Sequence, residues 1–183
     1  MSLEGFAASL QATSLSEALK DASWVVPTMQ SLHIIMVGVV FVSILMISLR
    51  MLGWMRADEP LHRVWTRFSP FLWAGIGVMA VTGTVLTIAE PVREFMTLSF
   101  RLKLILLVIC IASAAAFGRV ARTAAGASTT TETQLPLSAG MRATVFVTLL
   151  LWVTIIFLGR AIAYDDSVWG GWSPVESPGG AAT

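Results

Sequence analysis

The chain has 183 residues, 56% of them hydrophobic and only 13% charged, with a formal net charge of +1. Soluble domains run near roughly 25% charged, so the apolar excess belongs to membrane spans rather than to a soluble core, and the charge balance gives no reason to expect nucleic acid as a partner. The single cysteine, Cys110, excludes an internal disulfide, and no nucleophile–base pair, phosphate loop or carboxylate dyad marks a self-contained hydrolase.

Residues 1–22 read as an amphipathic segment lying in the membrane interface. Leu3, Phe6, Ala7 and Leu10 share one helical face, and Ser14-Leu15-Ser16-Glu17 fits a capping box with Ser14 at the cap. No basic n-region with an apolar core precedes Ala22, so the first span is expected to serve as its own insertion signal.

Four apolar runs follow, over about 24–52, 68–89, 100–118 and 143–164, each near the ~20 residues that cross a bilayer. They predict an all-α, integral membrane four-helix bundle over 23–164. Arg50 and Gly53 close the first span as dipole partner and cap. Arg56, Asp58, Glu59, His62, Arg63 and Arg67 then fill a charged connection, where His62 reads as solvated. Gly75, Gly77 and Gly83 on the second span, and Ala112 and Ala116 on the third, form small-residue seams suited to close helix contact, including a homo-oligomer. Pro91 to Leu98 reads as a turn leading to Ser99, a candidate N-cap, and residues 123–139 read as a flexible loop. Residues 165–183 read as a flexible tail whose tryptophans rest on the interface.

The first and third connections with their flanks carry seven basic residues and the opposite side five, three of which lie within spans. Arginine bias therefore places both termini outside the bacterial inner membrane.

Polar groups gather toward the outer ends of the spans. His33 lies roughly 9–14 Å below the outer end of the first span at about 1.5 Å per residue. Glu90, Arg101, Lys103, Arg160 and Tyr164 stand at the outer ends of the others, where Glu90 can pair with Arg101 or Arg160. An ionisable residue within a span is a functional candidate by default. One reading is a b-type haem, with His33 as axial ligand, Met79 at similar depth as a second ligand, and Arg101, Lys103 and Arg160 near the propionates. Another is copper, because Met29, His33 and Met36 at i, i+4 and i+7 share a face and offer thioether and imidazole donors. The plain alternative is that His33 donates a hydrogen bond to another helix and binds nothing, and that Arg160 is a snorkelled anchor. On that view the chain is a structural or assembly subunit.

Gln30-Ser31-Leu32-His33, Leu49-Arg50-Met51-Leu52-Gly53, Phe100-Arg101-Leu102-Lys103-Leu104 and Gly159-Arg160-Ala161-Ile162-Ala163-Tyr164 together resemble a family of small bacterial integral membrane proteins with four helices and no assigned activity. That family is distantly similar to the copper-resistance membrane protein CopD and to four-helix membrane b-type cytochromes. The resemblance implies the fold and highlights His33, Arg101, Lys103 and Arg160. It supplies no established activity; a redox partner in the membrane or periplasm is what the haem reading would call for. Members carry a second histidine after the phenylalanine that ends the third span; here Phe117 is followed by Gly118.

Overall fold

The structure is a computed structural model that describes residues 2–56, 58–126 and 138–172. It is all-α. The elements are α1 (Leu3–Gln11), α2 (Ser14–Asp21), α3 (Val25–Met51), α4 (Leu61–Ala89), α5 (Pro91–Met96), α6 (Leu98–Gly126), α7 (Ala139–Ala161) and α8 (Asp165–Trp169), with 3-10 turns at Ile162–Tyr164 and Gly170–Trp172. Four helices, over Val25–Met51, Leu61–Ala89, Leu98–Thr123 and Ala139–Tyr164, are long and apolar enough to cross a membrane. Only 22–28% of each apolar window is buried by the protein itself. Ile34, Val81, Val108, Leu150 and Phe157 are exposed on these helices, an arrangement that water would penalise and hydrocarbon accepts. The chain is a multi-pass membrane protein. Four crossings return it to the side from which it started, here called the terminal side.

The chain divides into two compact units. The first comprises residues 1–34, 79–106 and 155–183. In it α1 packs against α5, with Ala7 fully buried and Phe6 edge-on to Phe95 at 6.0 Å. The cap of α2 is Thr13 rather than Ser14: Thr13 is extended, and its Oγ1 accepts from the Ser16 amide at 3.3 Å, while Ser14 is already helical. Ser16 Oγ donates to the Ala89 carbonyl at the end of α4. The expected turn after Pro91 is instead the helix α5, because proline at the first helical position leaves no hydrogen bond unmade. Glu90 pairs with Arg93 at 2.6 Å, not with Arg101 or Arg160, since a partner one turn away on α5 is already in place.

Ser99 is not the cap of α6 but lies within its first turn, and a distant carboxylate does the capping. Asp165 Oδ2 accepts from the Leu98 amide at 3.2 Å, and Oδ1 accepts from the Ser99 amide at 3.1 Å and the Ser99 hydroxyl at 2.7 Å. Trp169 Nε1 donates to Ser99 Oγ at 2.8 Å. The first residues of the expected tail are therefore helical and bound to α6; residues 173–183 lie outside the described ones.

The second unit comprises residues 35–78 and 107–154. Here α3 ends as expected at Gly53, whose φ is 74°. Trp54 N–H bonds to the Leu49 carbonyl and Gly53 N–H to the Arg50 carbonyl, both at 3.0 Å, the paired closure of a Schellman cap. Arg50 is buried, and its Nε donates to the Glu59 carbonyl. The expected loop is shorter than its charges imply. α4 begins at Leu61, because Val64 and Trp65 turn inward while Arg63, Thr66 and Arg67 stay exposed. His62 thus sits in the first turn of a helix rather than in a loop. α6 likewise runs past Gly118, with Cys110, Ala114, Phe117 and Ala121 buried at helical spacing and Arg119 and Arg122 outside. The expected flexible loop falls mostly on residues 127–137, outside the described ones.

Glycine has a packing use at two points of this unit. A methyl at Gly75 would stand 2.6 Å from Val40 Cγ2, and one at Gly118 would stand 2.5 Å from Trp65 Cζ2. Gly75 therefore serves contact within the chain, whereas Gly77, Ala112 and Ala116 remain exposed.

Candidate functional site

The candidate site lies in the first unit, around His33. This residue stands eight positions into α3, about 12 Å along the helix axis. Its Nδ1 is 2.9 Å from Thr82 Oγ1 on α4. The Thr82 hydroxyl is also 3.3 Å from the Met79 carbonyl of its own helix, which can only accept. With the hydroxyl proton on that carbonyl, Nδ1–H donates to Thr82, the tautomer that leaves Nε2 as the bare nitrogen. Nε2 is buried and without a hydrogen-bond partner.

Neighbouring residues shape the pocket wall. A methyl at Gly83 would lie 3.5 Å from His33 Cε1, so the imidazole edge rests where α4 has no side chain. Met79, Thr82 and Gly83 are spaced i, i+3 and i+4 and share a face of α4, and the Met79 side chain is buried. Lys103, from α6, is the cation that acts on the imidazole. Its ammonium reaches α7 at Gly159, where a methyl would lie 3.7 Å from Nζ. Burial pushes the Glu94 carboxyl on α5 above its ordinary value; the positive charges of Lys103 and Arg93 draw it down and Glu90 adds to the rise.

The other expected site residues are placed differently. Arg101 donates from Nε to the Phe95 carbonyl at 2.9 Å, which ties the start of α6 to α5. Arg160 is exposed; its guanidinium lies 5.4 Å from the Tyr164 ring centroid, with Nη2 3.5 Å from the Tyr164 hydroxyl. Met29 is in the first unit with His33, while Met36 belongs to the second. Among the described residues no group of three His, Cys, Asp or Glu side chains could hold a metal, so a copper site would depend on thioethers. His62 belongs to the second unit.

Sequence reasoning missed Thr82 and read Gly83 only as part of a small-residue seam. A hydroxyl inside an apolar run was the available signal for Thr82; its hydroxyl bonds back to its own helix as those of Thr84 and Thr87 do, and only the contact with His33 on α3 singles it out.

A haem-ligating histidine needs one ring nitrogen held by a hydrogen-bond acceptor and the other bare. His33 has Nδ1 on the Thr82 hydroxyl and a buried Nε2 without a partner, and Lys103 acts on it electrostatically; residues of these types fit the group. No protein family, curated protein or solved structure matches the chain, so the resemblance to four-helix membrane proteins rests on the quoted residues alone.

Proposed function

We propose that this multi-pass membrane protein is a haem-binding redox subunit acting near the outer face of the bacterial inner membrane. The observation that carries this reading is the His33 imidazole with Nδ1 2.9 Å from Thr82 Oγ1 and a buried Nε2 without a hydrogen-bond partner. A buried polar atom left without a partner costs about 1–3 kcal/mol, so an unused Nε2 would be a persistent penalty that ligation removes. A b-type haem bound there would supply one-electron transfer. His33 would hold it, Thr82 would keep the ring in the tautomer that leaves Nε2 free, and Lys103 and Arg101 would offset its carboxylates. Met79 is the candidate for a second ligand.

The test is an absorption spectrum and metal analysis of the full chain purified with ample haem supply. A Soret band is expected in wild type and in His62→Ala, and its loss in His33→Ala. Thr82→Val should weaken retention by about 10–100-fold, the usual effect of removing an outer partner of a ligating histidine. A wild-type protein without Soret absorption refutes the reading, and stoichiometric copper in its place assigns His33 to the metal.

The orientation is tested by cysteine labelling with Cys110 replaced by alanine. A cysteine at Ser177 should react with an impermeant reagent in intact cells and one at Ser128 should not. The opposite pattern inverts the topology.

A further inference from the structure

Two cations within the membrane-spanning helices, Lys103 and Arg160, belong to no ion pair among the described residues; the pairs there are Arg56–Glu59 and Arg93–Glu90. Glu94 acts on Lys103 electrostatically but lies beyond ion-pair distance. Lys103 reaches α7 at Gly159, an exposed glycine whose Cβ would stand 3.7 Å from the ammonium nitrogen. Arg160 is the next residue and is also exposed. It lies against Tyr164, 53% exposed, whose hydroxyl adds a neutral donor.

Gly159 and Arg160 are four or five residues from the end of the span at Tyr164, about 6–8 Å along the axis. Long basic side chains at that depth extend toward the headgroup phosphates. We propose that Lys103, Arg160 and Tyr164, around the Gly159 notch, form a binding site for the phosphate of an anionic phospholipid in the leaflet on the terminal side. An anionic headgroup carries the charge that Arg160 finds in no ion pair and that Lys103 meets only in Glu94, beyond ion-pair distance, whereas a zwitterionic one brings its own ammonium. The site shares Lys103 with the haem reading, whereas Arg160, Tyr164 and the Gly159 notch belong to it alone.

Native mass spectrometry of the detergent-purified full chain tests this with phosphatidylglycerol, phosphatidylcholine and inorganic phosphate as probes. Wild type should retain phosphatidylglycerol several-fold better than phosphatidylcholine, and millimolar phosphate should not displace it. Gly159→Leu covers the ammonium and should bring the two lipids to parity. Arg160→Gln, at an exposed position where folding is not at stake, should do the same. His33→Ala should keep the full preference whether or not it binds haem. Equal retention of the two lipids by wild type, or an undiminished preference in Arg160→Gln, overturns the proposal. Displacement by inorganic phosphate also overturns it, by assigning the notch to a free anion.

Discussion

Asp165→Ala should be the most damaging single substitution in the described chain, lowering stability by about 3 kcal/mol or more. Its carboxylate is 5% exposed and accepts from the Leu98 amide, the Ser99 amide and the Ser99 hydroxyl. Hydrogen bonds to charged groups are each worth about 1.5–3 kcal/mol, and their loss here would leave donors at the start of a membrane helix unmet. Part of this will not add, because Ser99 Oγ also accepts from Trp169 and can hold some order. The measurement is thermal unfolding in detergent together with amide exchange over residues 165–172. The variant should melt several degrees lower and exchange this segment rapidly, and Asp165→Asn, which keeps one acceptor oxygen, should fall between. An Asp165→Ala protein that melts like wild type would show that α6 is capped well enough without the carboxylate.

Gly118→Ala should destabilise the second unit by about 1–3 kcal/mol, the usual range for overfilling a packed site. The added methyl would meet three atoms of the Trp65 ring at 2.5, 2.9 and 3.1 Å. A rigid indole that is 7% exposed cannot swing aside as the end of a flexible chain could. Gly118→His should be worse. Trp65→Leu combined with Gly118→Ala should cost less than the two single changes summed, a coupling that a double-mutant cycle in detergent unfolding reads directly. Strict additivity would mean that the ring does not restrain position 118. The same contact leaves no room for a histidine after Phe117, because Trp65 fills that space.

The membrane-spanning architecture was legible from the residues alone. Hydrocarbon leaves a backbone no partner but itself, so an uncharged apolar run of sufficient length has essentially one structure available, and the four runs correspond to the four helices among the described residues that are long and apolar enough to cross a membrane. The Gly53 cap was legible for a similar local reason, since a left-handed residue after a helix favours glycine. His33 stood out because an imidazole in such a run is costly. The starts and ends of helices were less so. Charges at Arg63, Arg67, Arg119 and Arg122 read as loop, yet they occupy only the exposed faces of α4 and α6, whose opposite faces bury Val64, Trp65, Phe117 and Ala121.

What only the tertiary structure decided lies in pairings between residues far apart in the chain. Thr82 holds His33 across 49 positions, and Asp165 caps Ser99 across 66. Gly118 admits Trp65, and Gly159 admits Lys103. Helical periodicity names the face on which a residue lies but not the partner opposite it. That partner is set by which helices pack together and at what register, which here decides the hydroxyl that meets one imidazole and the carboxylate that caps one helix.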